Sequence, residues 1–262
     1  MTMAAPILEL DCVCKNFGGL KVIDNLSFSV MPGERVALIG PNGAGKTTAF
    51  NLITDFYHVD SGRIILDGRD ITTVPSRKRI CHGIARTFQN IRLMSHLTVL
   101  ENVMIGQSAH NASALAMFQP VNLVPGNRWR RQAREALDAA GLGQYALETT
   151  GALPYGIQKR IELVRALLSE PRILLLDEPA AGLNPAETED LRQQLIEVSR
   201  RGLTLIVVEH DMHFIGAFCQ RVIVLNFGCK IAECSPHEAQ ADPQVREAYL
   251  GSDDELGQTH AA

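Results

Sequence analysis

Long apolar runs, paired cysteines and a surplus of basic charge are what this sequence lacks. No uninterrupted hydrophobic stretch approaches the roughly 20 residues that a membrane-crossing helix needs, so the chain itself is not expected to span a bilayer. Its opening, Met-Thr-Met-Ala-Ala-Pro-Ile, carries neither the basic nor the apolar segment of an export signal, which predicts a cytosolic setting. The six cysteines, Cys12, Cys14, Cys81, Cys219, Cys229 and Cys234, form no C-x-x-C pair. In the cytosol thiols stay reduced, so they read as packed side chains rather than disulfides or metal ligands. A formal charge of −4 and a pI near 6.1 give no general attraction to nucleic acid or to anionic lipid. Any membrane attachment must therefore come through protein contacts.

What is present is enough for a sizeable core: 262 residues, 46% of them hydrophobic. From Ile7 to Val30 the pattern alternates with breaks at Phe17-Gly18-Gly19 and Asn25, which predicts short strands joined by turns in a small β-sheet. The apolar runs Arg35–Ile39, Ile173–Leu176 and Thr204–Val208 alternate with helical stretches, including one near 159–169 and one over Pro185–Arg200. Continuous apolar strands separated by helices predict a parallel sheet covered on both faces, an α/β fold. Between about Met94 and Leu153 the composition turns to Ala, Leu, Gln and Arg at helical spacing, as in Arg130 to Leu137, which reads as a helical insertion.

Two motifs carry chemistry. Gly40-Pro41-Asn42-Gly43-Ala44-Gly45-Lys46-Thr47, followed by Thr48, fits G-x-x-x-x-G-K-[ST] between a predicted strand and a predicted helix. Glycines let the backbone curl so that its N–H groups face a phosphate, and the helix start adds the positive end of its dipole. Lys46 can reach the β- and γ-phosphates of ATP, and Thr47 offers a hydroxyl to Mg²⁺. The run Ile173-Leu174-Leu175-Leu176 ends in Asp177-Glu178, and in parallel α/β sheets ligands gather at the carboxyl ends of strands. Asp177 is placed to hold Mg²⁺, and Glu178 to polarise the attacking water as general base.

These motifs are shared by many nucleotide enzymes, but further ones narrow the choice. Gln89 in Arg86-Thr87-Phe88-Gln89-Asn90, His210 in Val208-Glu209-His210-Asp211, and Ala181-Gly182-Leu183-Asn184-Pro185 follow in the order and spacing of the ATP-binding cassette (ABC) family, which the chain resembles from Ile7 to Gly251. The resemblance implies a P-loop NTPase (RecA-like) core, about 7–93 and 160–251, with an antiparallel β subdomain, a helical subdomain over about 94–159, and a loose tail at 252–262. It also implies roles: Phe17 stacks on adenine, Gln89 touches Mg²⁺ and the water, and His210 contacts the γ-phosphate. Two cassettes would pair head to tail, each ATP clamped between one phosphate loop and the other chain's signature element.

That signature element departs from the family's Leu-Ser-Gly-Gly-Gln, reading Leu153-Pro154-Tyr155-Gly156-Ile157. Pro154 has neither hydroxyl nor backbone N–H to offer a γ-phosphate, whereas Tyr155, Gly156 and the helix start after them can still present N–H donors. Slowed hydrolysis at one composite site, or a regulatory cassette beside an active one, is the alternative this substitution opens. A soluble, non-transport cassette is the other, though it lacks the second cassette or heptad insertion usual there.

Within the family, 83–93, Leu97-Thr98-Val99-Leu100-Glu101-Asn102-Val103 and the closing Ala241-Asp242-Pro243 to Glu247-Ala248-Tyr249-Leu250-Gly251 resemble importers of branched-chain (hydrophobic) amino acids. Urea and amide importers share much of this wording. The resemblance implies transmembrane permease subunits, a second ATP-binding subunit and an extracytoplasmic substrate-binding protein as partners, with this chain on the cytoplasmic face of the membrane.

Overall fold

A computed structural model describes residues 5–107 and 128–249. The tail expected over 252–262, the Leu250-Gly251 end of the closing motif and part of the helical insertion lie outside the described residues. In chain order the elements are β1 (Leu8–Phe17), β2 (Leu20–Val30), β3 (Arg35–Ile39), α1 (Lys46–Ile53), β4 (Ser61–Leu66), β5 (Arg69–Asp70), α2 (Ser76–Arg79) and β6 (Ile84–Arg86). There follow α3 (Val99–Ile105), α4 (Arg128–Ala139), α5 (Tyr155–Leu167), β7 (Ile173–Asp177), α6 (Pro185–Arg200) and β8 (Thr204–Val208). The order closes with α7 (Met212–Phe218), β9 (Arg221–Asn226), β10 (Cys229–Cys234) and α8 (Pro236–Ala241), and residues 243–249 are again helical.

The larger sheet has the order β10-β9-β3-β8-β7-β6, parallel throughout except for β10 at its edge. Every residue of β7 and β8 is buried, which is why these strands read as continuous apolar runs rather than alternating ones. The alternation is hidden in which core each side chain joins. Leu38, Leu175, Ile206 and Ile223 face α1 and the small sheet, while Ile39, Leu176, Val207 and Val224 face α6 and α7. The small sheet, β2-β1-β4-β5, is antiparallel and covers the first face. Asn25 does not end a strand there: it sits inside β2 at φ 51°, opposite a register shift, and Cys12 does the same on β1 at φ 50°. Asn tolerates the left-handed region, so a bulge replaces the expected turn.

A third cluster joins Val99, Leu100 and Val103 of α3, Ala133 and Leu137 of α4, and Ile161 and Val164 of α5. The Leu97–Val103 wording has a local cause. Thr98 caps α3 in a reciprocal box with Glu101, and Asn102, fully buried, accepts from Met94 N and donates to Thr150 Oγ1. α5 belongs to two clusters, since its Leu163 packs under the parallel sheet. This helix begins at Tyr155, four residues before the expected start, because proline needs no N–H partner at a helix entry and Pro154 serves as N-cap.

Arg79 is the largest fully buried side chain. Its guanidinium donates to the carbonyls of Val74, Leu52, Ile53, Ile71 and Thr72, with Asp55 at 3.5 Å. It thereby closes the C-terminal end of α1 onto the chain leaving β5.

Candidate functional site

Where β3 ends, the chain turns over the neighbouring strand. A Cβ on Gly40, whose φ is 148°, would lie 2.1 Å from the Leu225 carbonyl oxygen of β9, so only glycine allows this approach. Gly40 N donates to the Tyr249 hydroxyl at 2.9 Å, and Gly228 N donates to Ala44 O at 3.0 Å. Asn42, Gly43 and Thr47 are exposed on the rim, while Pro41, Ala44 and Lys46 are buried and Gly45 and Thr48 half-buried. The N-cap of α1 is Gly45, which supplies no side-chain cap, leaving the first-turn N–H groups of the helix directed at the loop's concavity. Lys46 Nζ folds back on the carbonyls of Gly40 (2.6 Å) and Pro41 (2.9 Å). Burial pushes its ammonium down from the ordinary lysine value, opposed by the charges of Glu178 and Asp177. A nest of N–H donors with one buried cation is a receptor for a polyanion.

Three of the residues expected at the γ-phosphate meet on one carboxylate. Gln89 Nε2 donates to Glu178 Oε2 at 2.7 Å, and His210 Nε2 lies 3.0 Å from Glu178 Oε1. Glu178 itself has φ 46°, a left-handed conformation that strains a non-glycine residue by about 1–3 kcal/mol. Its N–H is tied to Val208 O at 2.9 Å on β8. Glu209, pushed up by burial, accepts from Ala180 N and His210 N and so fixes the two loops that flank Glu178.

Asp177, one residue earlier, is claimed by a partner the sequence did not single out. Arg86 Nη2 donates to Asp177 Oδ2 at 2.6 Å and Arg86 Nη1 to Asn51 Oδ1 at 2.6 Å, while Arg86 Nε is buried without a partner among the described residues. Arg86 and Tyr249 both stand inside quoted motifs, but nothing in the wording reveals what they touch.

Tyr155 and Gly156 have neighbours other than the phosphate loop. A Cβ on Gly182 would come 2.9 Å from Tyr155 Cε1, so the ring, 42% exposed, lies over that turn; a Cβ on Gly156 would strike Glu187 Oε1 at 2.3 Å. Glu187 is bound in turn to its N-cap Asn184. Phe17, 39% exposed, closes β1 with its ring edge-on to Tyr57 at 4.9 Å. The strand it pairs with, β2, reaches the phosphate loop, for a Cβ on Gly45 would lie 2.7 Å from Ile23 Cδ1.

Against known families, the ABC transporter model matches residues 23–181, more than half of the chain. The chain belongs to the ABC transporter family. A second model, that of the branched-chain amino acid ATP-binding cassette transporter, matches residues 229–255. The cassette is 40% identical over 258 residues to the high-affinity branched-chain amino acid transport ATP-binding protein BraF of Pseudomonas aeruginosa, covering 95% of this chain and 99% of that one. It is 38% identical over 257 residues to LivG, the protein of the same description from Escherichia coli K12, with the same coverage. A crystal structure of an ATP-binding cassette of an ABC transporter in its ADP conformation superposes with a TM-score of 0.84 at 32% identity, over 95% of this chain and 100% of that one. The expected P-loop α/β fold is thus borne out, and cassettes of this fold bind nucleotide. Their relatives are components of transporter complexes, and no helix among the described residues is long and apolar enough to cross a membrane.

The contact between the family-specific C-terminal segment and the phosphate loop can be tested. Tyr249→Phe removes the acceptor for Gly40 N, and a lost buried hydrogen bond of about 1 kcal/mol corresponds to ATP affinity weaker by about fivefold. Titration with a fluorescent ATP analogue reads this directly, and an unchanged Kd would mean that the loop holds its shape without the phenol.

Proposed function

We propose that this cassette is the ATP-hydrolysing subunit of an importer for branched-chain or other hydrophobic amino acids, working on the cytoplasmic face of the membrane. The observation that carries the catalytic half of this reading is the convergence of Gln89 and His210 on Glu178, beside the buried Lys46. In this reading the Gly40–Thr48 backbone and Lys46 bind the β- and γ-phosphates, and Phe17 supports the adenine. Glu178 takes the proton of the attacking water, Gln89 orients that water, and His210 touches the γ-phosphate.

The donor set suits Mg²⁺ arriving with the nucleotide. Among the described residues no group of three or more His, Cys, Asp or Glu is arranged to hold a metal ion alone. Mg²⁺ commonly takes one or two protein oxygens and completes its shell with phosphates and water. Thr47, Asp177 and Gln89 would hold it, and it would neutralise phosphate charge. Asp177 must loosen its bond to Arg86, and Gln89 its bond to Glu178, as they do so.

The partners are transmembrane permease subunits, a second ATP-binding subunit and, through the complex, an extracytoplasmic binding protein. A groove of about 360 Å³ between the parallel sheet and the helical region is lined by Phe56, Phe88, Ile105 and Arg165, a mixed apolar and basic surface that suits a permease's cytoplasmic helix. Tyr155 and Gly156, which neighbour Gly182 and Glu187, suit a site completed by the second cassette. The test is ATP hydrolysis by the cassette alone and reconstituted in vesicles with its permease and partner cassette, with binding protein and leucine added. Stimulation on assembly, abolished by Lys46→Ala, is expected together with leucine uptake. Stimulation without uptake of leucine, isoleucine or valine would reassign the cargo, and no stimulation would sink the motor reading.

A further inference from the structure

Lys159 sits on α5, five residues past Pro154, and is 6% exposed. Among the described residues it forms no ion pair; Glu162, Glu209, Asp177 and Glu178 act on it only from a distance. Its ammonium instead points at three backbone carbonyls, that of Gln89 at 3.1 Å and those of Phe88 and Glu178 at 3.5 Å each. Burial pushes its charge toward the neutral form. A methionine, one atom shorter, would fill most of the space without that penalty. The charge is therefore better explained by what it holds than by packing.

What it holds is the backbone of two residues whose side chains bond each other. Glu178 is fixed in a left-handed conformation from behind by Val208 O, and in front its own carbonyl faces Lys159. The Gln89 carbonyl receives the shortest of the three contacts. The same face of α5 continues the attachment: Glu162 Oε1 accepts from Arg92 N at 3.1 Å, and Arg165 Nη1 donates to Arg92 O at 2.7 Å. Three side chains at i, i+3 and i+6 thus fasten residues 88–92 to one helix. The start of that helix carries Pro154, Tyr155 and Gly156.

We infer that Lys159 is a positioning residue that sets the backbone of Gln89 and Glu178 from α5, so that one ammonium joins the element offered to the partner's nucleotide to the carboxylate that activates this chain's own attacking water. The inference rests on the roles proposed above for Glu178 and the signature element. A shift of α5 on engaging the partner's ATP then moves the water-orienting amide and the base together, and hydrolysis on this side answers to closure on the other.

The experiment compares Lys159→Met, Lys159→Gln and Lys159→Arg in the assembled transporter, reading kcat, KM for ATP, equilibrium ATP binding and melting temperature, with Glu178→Gln in parallel. Expected for Lys159→Met is a 10- to 100-fold fall in kcat, ATP affinity within threefold of wild type, and a melting temperature equal or higher. Lys159→Arg restores most of the kcat, since it keeps donors and charge. Should the methionine variant not fold, Lys159→Gln, which keeps donors without charge, is expected to show the same split in milder form. A kcat within twofold of wild type for Lys159→Met, or for Lys159→Gln where Met fails, overturns the inference, as does a parallel loss of ATP binding or of melting temperature in the variant that folds. If Glu178→Gln is itself active, the base assignment fails instead; if Glu178→Gln is inactive while Lys159→Met turns over normally, only the role of Lys159 fails.

Discussion

Glu178→Gln is expected to bind ATP as wild type does and to hydrolyse it on the order of 10²- to 10⁴-fold more slowly, the range that a positioned general base contributes. The substitution keeps the shape of the side chain, and its amide oxygen can still accept from Gln89 or His210, so the loop geometry around φ 46° survives. What disappears is the basic oxygen. Two measurements separate the steps: equilibrium binding of ATP, expected within about twofold, and single-turnover hydrolysis, expected to collapse. Because ATP persists, the variant should also accumulate as a closed pair with its partner cassette, visible as a heavier species in size-exclusion chromatography with light scattering. Turnover within a few-fold of wild type would remove Glu178 as the base. It would favour the regulatory reading that the Pro154 substitution leaves open.

Arg79→Met is expected to lower the stability of the whole domain by about 3–5 kcal/mol, the range found when one member of a buried charge network is removed. The methionine fills part of the space but offers no donors, so the carbonyls of Leu52, Ile53, Ile71, Thr72 and Val74 lose their partner together, and Asp55 loses the guanidinium 3.5 Å away. Burial already pushes the Arg79 guanidinium down and the Asp55 charge opposes this, so the native ion is held mainly by its hydrogen bonds. Thermal melting should fall by roughly 10 °C, with Arg79→Lys intermediate, because an ammonium reaches fewer of these carbonyls. A shift below about 2 °C, smaller than 1 kcal/mol would produce, would show that the carbonyls find other donors.

The parts of this molecule that could be read from its sequence are those whose cause is local. Gly40 to Thr47 states its own turn and helix, and Ile173–Leu176 states a strand buried on both faces. The helix expected over Pro185–Arg200 has its range as well, and the structure adds the reciprocal cap between Asn184 and Glu187 that starts it. What could not be read joins positions far apart in the chain. Arg86 meets Asp177 because β6 and β7 lie side by side in parallel register, Arg86 opposite Leu175. Tyr249 meets Gly40 across 209 positions. Arg79, in a run of Ser, Arg and Lys, has the wording of an exposed helix and is buried, because the carbonyls it gathers come from two segments, 52–53 and 71–74, that its own helix does not include. Asn25 misled for the opposite reason: a turn-forming residue was spent on a bulge, and only the pairing register shows which.

The order of strands in the larger sheet carries a consequence for how the chain comes into being on the ribosome. β3, which launches the phosphate loop, has β8 and β9 as its neighbours, and Arg35 pairs with Leu205. At 5–20 residues per second, β3 is made roughly 10–30 s before either neighbour exists. During that interval Val36, Leu38 and Ile39, fully buried in the finished protein, have no strand beside them. The nascent chain is then an open edge with apolar faces, which other chains can join and chaperones can cover. The phosphate loop also precedes by 209 positions the tyrosine hydroxyl that accepts from Gly40 N. A fragment that stops before β8 therefore carries the loop's sequence without either of the strands that flank β3 in the finished sheet.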